Sequence, residues 1–135
     1  MKGLIAYVDG GSRGNPGVAG YGAHILDDEG NELVTLSHNI GIQTNNQAEY
    51  SGLIAALDYA HINHFDKVKV FADSELMVRQ INGRYKVKNQ NLKRLFEQAR
   101  LLIDCFKVFS IQHIPREHNR EADRLANLAM DDPIK

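Results

Sequence analysis

This 135-residue chain has one cysteine, three prolines and no long apolar run, and each shortage excludes something. With Cys105 alone, no disulfide can close within the chain and no thiolate cluster can hold a metal. A reducing, cytoplasmic compartment and a packed thiol are therefore expected. Nowhere do about 18 apolar residues follow one another, and the N-terminal segment breaks at Gly10-Gly11, so neither a membrane span nor a signal peptide is expected. Excess charge is lacking too. A net charge of −1 and a pI near 6.6 exert no general pull on polyanions, so any nucleic-acid contact must come from a local basic surface.

What is present is ordinary globular material, 43% hydrophobic, enough for one domain over residues 1–132 with a short tail at 133–135. A monomer is expected. The apolar run at residues 4–8 meets Asp9-Gly10-Gly11 and reads as a buried strand that turns there, with Asp9 at its C-terminal end. Residues 20–26 and 32–40 flank the turn-forming stretch 27–31 and read as a hairpin. From Gln47 to His61 alanines and leucines recur at helical spacing, with Asn45 or Asn46 available as the cap. Residues 67–72 alternate as a strand and end at Asp73-Ser74, and a short helix follows from Glu75 to Ile81, closed by Asn82-Gly83. A helix over about 90–102, a strand over about 107–114 stopped by Pro115, and a last helix from Glu121 to Met130 complete the chain. This order predicts an α/β fold with a mixed sheet and helices packed on it.

Four acids stand out against that background. Asp9 and Asp73 each follow an apolar strand, and the carboxyl ends of neighbouring strands are where open α/β sheets bind ligands. Glu49 and Asp123 fall in the first turns of two predicted helices, each beside an alanine that permits close packing. Carboxylates so placed repel one another unless divalent cations neutralise them, and hard cations such as Mg²⁺ prefer oxygen. Two ions about 3.5–4 Å apart suit in-line attack at phosphorus. Any one of these acids alone reads more readily as a solvated surface group or a helix cap; the combination is what points to chemistry.

The run from Tyr7 through Asp9-Gly10-Gly11-Ser12-Arg13-Gly14-Asn15-Pro16-Gly17, with Gly20-Tyr21-Gly22 after it, resembles the opening of type 1 ribonuclease H. The resemblance continues through Thr44-Asn45-Asn46-Gln47-Ala48-Glu49, Asp73-Ser74 and Asn119-Arg120-Glu121-Ala122-Asp123, covering essentially the whole chain. It implies a ribonuclease H-like fold, a five-stranded mixed sheet whose first three strands are antiparallel. It also implies cleavage of the RNA strand of RNA–DNA hybrids, leaving 5′-phosphate and 3′-hydroxyl ends. By the same resemblance Asp9, Glu49, Asp73 and Asp123 match the catalytic metal-binding carboxylates, with Mg²⁺ or Mn²⁺ as the ion. Gly10, Gly11 and Ser12 would let the backbone approach RNA, Asn15, Asn45 and Asn46 match minor-groove contacts, and Thr44 matches a contact to a DNA phosphate. Asn89, beside Lys88, matches another phosphate contact, or simply caps the next helix.

The chain also departs from the pattern. Many family members carry a basic protrusion between the second and third major helices, and Ile81-Asn82-Gly83-Arg84-Tyr85 leaves no room for it. Arg79, Arg84, Lys86, Lys88, Lys93, Arg94 and Arg100, opposed within that stretch only by Glu97, form a basic patch that could compensate. His113 falls on a predicted strand, so His118 or Arg116 is left for the role of the family's mobile loop histidine. Glu75 stands where some relatives place a glutamine that touches RNA. Two competing functions remain at this stage: a non-catalytic hybrid-binding module, and a nuclease of the same fold acting on another nucleic acid.

Overall fold

The computed structural model describes residues 2–132, so the expected tail at 133–135 lies outside the described residues. Five strands and four helices follow one another as β1 Gly3–Arg13, β2 Gly17–Asp27, β3 Glu32–Gln43, α1 Asn45–Ile62, β4 Lys67–Ala72, α2 Glu75–Ile81, α3 Gln90–Ile103, β5 Val108–His113 and α4 Arg120–Asp131. They form one sheet in the order β3-β2-β1-β4-β5. β1, β2 and β3 pair antiparallel, whereas β4 joins β1 and β5 joins β4 in parallel. The parallel pairs require crossovers, and α1 supplies the first by running back across β1 and β2.

β1 does not turn at its glycines. It continues through Gly10, Gly11 and Ser12 to Arg13, because these residues stay paired with Tyr21, Gly20, Ala19 and Val18 of β2. The turn comes later, at Gly14, whose φ of +92° is one a glycine tolerates. Asp9 therefore lies within a strand, immediately past Val8↔Ala72, the last parallel pair with β4.

The core lies between the sheet and α1, where Leu4, Ala6 and Val8 of β1 meet Leu53, Ala56 and Leu57. α3 packs on the outer side of α1, so α1 is buried on most of its circumference and its apolar residues are not confined to one face. α4 covers the opposite face over β1, β2 and β3. It lies so close to the sheet that a Cβ on Gly22 would overlap the Ala122 carbonyl and the Leu125 side chain.

Two local expectations are corrected. The cap of α1 is Thr44, not Asn45 or Asn46. Its hydroxyl accepts from Gln47 N at 3.1 Å, while Gln47 Oε1 accepts from Thr44 N at 2.9 Å, a reciprocal pair that satisfies two otherwise orphaned donors. With this start Glu49 is the fifth residue of the helix, just past the first turn expected for it. Cys105 is exposed rather than packed, because it follows the end of α3 at the surface and Sγ reaches only the Leu101 carbonyl.

Candidate active site

Three acids from distant parts of the sequence meet at the end of the parallel ladder. Asp9 projects from within β1 one residue past that strand's last pair with β4, and Asp73 follows β4 directly, so the two lie at the same level of adjacent strands. Glu49 reaches them from α1. One oxygen from each of Asp9, Glu49 and Asp73 lies within 4.8 Å of the others. Glu49 is brought this near because Gly10 has no side chain: a Cβ there would run into the Ala48 carbonyl and the Glu49 amide nitrogen.

The cluster is electrostatically costly as it stands. Burial first, then the charges of Asp73 and Glu49, push the Asp9 carboxyl up to about 9, against a lesser stabilisation by the Gly10 N–H, which donates to Asp9 Oδ1 at 2.9 Å. Burial likewise raises Glu49 to about 7, Asp73 adding to the rise and the Ser74 hydroxyl and Arg116 opposing it. Asp73 Oδ2 is buried without a hydrogen-bond partner among the described residues. Clustered, desolvated oxygens with an orphaned acceptor fit a hard divalent cation, which would take these atoms as ligands and remove the repulsion.

Asp123 stands beside this trio rather than inside it. It projects from the first turn of α4 near enough to add to the rise of the Asp9 carboxyl, and the two line one open cleft of about 560 Å³ together with Glu49. Gly10, Gly11, Ser12, Asn45, Asn46 and Arg116 line the same cleft. Several of these polar groups also brace one another: Ser12 N donates to Asn45 Oδ1 at 2.7 Å, and Asn45 N donates to Asn15 Oδ1 at 3.1 Å. Of the two candidates in the loop before α4, Arg116 faces the carboxylates, whereas His118 lines a separate hollow with Tyr7, His24 and Leu26.

A second hollow, about 260 Å³, brings Asn15, Thr44 and Asn46 together with Asn89 from the start of α3. Asn89 does cap α3, its Oδ1 accepting from Leu92 N at 3.1 Å, and it lines this hollow as well. Gln47, Asn91 and Leu92 complete the lining and were not anticipated, although Thr44-x-x-Gln47 is itself a capping signature. Asn127 and Met130 were likewise missed in the main cleft. Their spacing of four and seven from Asp123 on one helix face was the available signal.

Lys88 lines neither hollow. Glu75 is exposed and holds Arg79 at 2.9 Å, which lowers its carboxyl below the usual range. The basic patch is thus partly engaged already, since Arg100 also donates to the Ile81 carbonyl at 3.1 Å.

A family model described as reverse transcriptase-like matches residues 7–129. RNase H1 of the archaeon Halobacterium salinarum superposes with a TM-score of 0.93 at 42% identity, over 97% of this chain and 99% of that one. The chain belongs to the type 1 ribonuclease H family. Another ribonuclease H, LC11-RNase H1 solved in complex with an RNA/DNA hybrid, superposes with a TM-score of 0.89 at 45% identity, over 95% of this chain and 96% of that one. A bifunctional protein of Mycobacterium tuberculosis is 46% identical over 95% of this chain. The chain spans only 35% of that relative's length. The five-stranded mixed sheet and its antiparallel β1–β3 meander are those the family resemblance implied. No helix among the described residues is long and apolar enough to cross a membrane.

Proposed function

We propose that this protein hydrolyses the RNA strand of RNA–DNA hybrids, with two divalent cations, Mg²⁺ or Mn²⁺, held by Asp9, Glu49, Asp73 and Asp123. The observation that carries this reading is the meeting of Asp9, Glu49 and Asp73 oxygens within 4.8 Å. A solved relative in complex with an RNA/DNA hybrid supports the choice of substrate. Bound there, the cations supply activation of the attacking water and charge neutralisation at phosphorus.

The chain's own residues do the rest. Asp9 and Asp73 present ligand oxygens from a rigid sheet, and Glu49 presents one from a helix packed against it, so the ligand geometry is fixed before substrate arrives. Arg116 adds positive charge to the cleft wall facing Glu49. Gly10, Gly11 and Ser12 present backbone to the RNA strand, with Asn15, Asn45 and Asn46 beside them for the minor groove. Thr44 and Asn89, together in the second hollow, hold a phosphate of the DNA strand, and Lys88 and Glu75 flank the substrate. Water attacks the scissile phosphate and the RNA 3′ oxygen leaves, so the products carry 5′-phosphate and 3′-hydroxyl ends and no protein nucleophile is required. The reading extends to a monomer in the cytoplasm, with residues 1–132 as one catalytic domain.

The test is end-labelled hybrid incubated with purified protein and Mg²⁺, beside the Asp9→Asn variant. RNA-strand cleavage that disappears with Asn at position 9 supports the reading. Salt-sensitive hybrid binding without product, across several divalent ions, would replace it with a binding module. Faster cutting of double-stranded RNA or a junction than of hybrid would replace the substrate.

A further inference from the structure

Three of the four helices open with a side-chain oxygen that accepts from the backbone of the first turn. Thr44 accepts from Gln47 at 3.1 Å, Ser74 from Met77 at 3.2 Å and Asn89 from Leu92 at 3.1 Å. α4 opens with Asn119, a residue equally suited to capping, yet its side chain makes no such bond. The amide is turned inward instead. Asn119 is 1% exposed, and its Nδ2 donates to the Val8 carbonyl at 2.9 Å, across 111 positions of sequence. Its Oδ1 is left buried with no donor among the described residues. A side chain that forgoes a cap and strands an acceptor to make one long-range bond calls for a reason beyond helix stability.

The reason lies at the two ends of that bond. Val8 directly precedes Asp9, and the Asn119 carbonyl accepts from Asp123 N at 3.0 Å. One residue thus grips β1 beside one acid and α4 beside another. Apolar packing alone would not do this. α4 rests on the sheet through Ala122, Leu125, Ala126 and Ala129, over Gly20 and Gly22 of β2, a smooth contact that sets height but offers little to stop the helix sliding. The other hydrogen bonds from the sheet to α4 lie farther along the helix: Ser37 Oγ donates to Leu125 O, Asn39 Nδ2 to Ala129 O, and Arg13 pairs with Asp131.

We propose that Asn119 is a positioning residue that sets the separation of the Asp9 and Asp123 carboxylates, and thereby the affinity of the cleft for divalent cations. This rests on reading the cleft as a cation site. The test uses Asn119→Leu, alike in branching but without a donor, and Asn119→Ala, with Ile103→Ala in α3 as a variant destabilised away from the site. Mn²⁺ binding to the substrate-free protein is measured by calorimetry, alongside thermal unfolding and steady-state cleavage of hybrid. Both Asn119 variants should bind Mn²⁺ about 10–100-fold more weakly, as loss of a group orienting a metal ligand does. Their kcat should fall while KM for hybrid stays close to that of the wild type. Ile103→Ala should lower the unfolding temperature and leave Mn²⁺ affinity unchanged. Wild-type Mn²⁺ affinity in Asn119→Leu would overturn the role of Asn119 and leave the cation reading standing. Absence of Mn²⁺ binding by the wild-type protein would remove both.

Discussion

Gly10 of β1 lies against Ala48 of α1 with no room for a methyl group between them. The contact seats Glu49 over the end of the parallel ladder, so fold and chemistry share one van der Waals surface. Gly10→Ala must push α1 away from β1. The expected cost is about 1–3 kcal/mol of stability, the usual penalty for overpacking. Cleavage should fall by more than the folded fraction accounts for, because Glu49 moves with the helix. Circular dichroism melting and single-turnover cleavage on the same preparation check both parts; unchanged activity would show that Glu49 tolerates displacement.

The cation-free protein should lose stability as pH rises. Asp9 and Glu49 hold their protons to about 9 and about 7 in the fold, against 3.8 and 4.5 as ordinary values. The folded state therefore binds more protons than the unfolded chain between those limits, and stability falls as pH climbs through them. In EDTA, the unfolding temperature should drop from pH 5 to pH 9. Asp9→Asn, which removes the buried charge while keeping the shape, should flatten much of that slope and melt higher than the wild type at alkaline pH. Saturating Mg²⁺ should flatten it in the wild type as well. A flat wild-type profile in EDTA would mean the three acids carry no such strain.

Basic residues of the 79–100 stretch should separate by what they already touch. Arg100 is committed to the Ile81 carbonyl, so Arg100→Ala should lower the melting temperature without changing the salt dependence of hybrid binding. Lys88 is exposed and has no hydrogen-bond or ion-pair partner among the described residues, so Lys88→Ala should reduce the slope of log K against log salt by about one. Fluorescence anisotropy at several salt concentrations, in Ca²⁺ or with Asp9→Asn to prevent cleavage, gives both slopes. Equal slopes for Lys88→Ala and the wild type would remove Lys88 from the substrate path.

Cys105 should react with a thiol reagent in the native state. It is exposed at the end of α3, away from the carboxylate cleft. One equivalent of modification should leave cleavage unchanged, and Cys105→Ser should melt within about 0.5 kcal/mol of the wild type, as surface substitutions do. Protection of the thiol until unfolding would contradict its exposure.

Elements with strong periodicity were legible from residues alone. The alternation of Lys67–Ala72 and the helical spacing after Gln47 each reflect a face that must be buried, and burial is what the structure confirms at Val68, Val70, Leu53 and Leu57. Elsewhere the local signal was overruled by pairing. Gly10-Gly11 carries turn chemistry, but ten consecutive partners in β2 keep it extended, and no local rule encodes a partner ten residues away. The cap of α1 was misread because two asparagines outranked a threonine, while the glutamine three residues on was the better guide. Cys105 was expected inside because cysteine is usually buried, yet the helix ends before it can turn inward. The convergence of Asp9, Glu49 and Asp73 depends on strand order, which the residues themselves do not spell out; the family resemblance implied the carboxylates as a set, and the β1–β4 pairing brings the three together.

Parallel pairing of β1 with β4 obliges the chain to cross the sheet between them, and the crossing segment is the helix that carries Glu49. The ladder that sets Asp9 level with Asp73 and the crossover that delivers Glu49 are thus one topological event. A copy in which β4 has not docked cannot bring Asp73 level with Asp9 and Glu49, so the three-carboxylate cluster forms only once the sheet is whole.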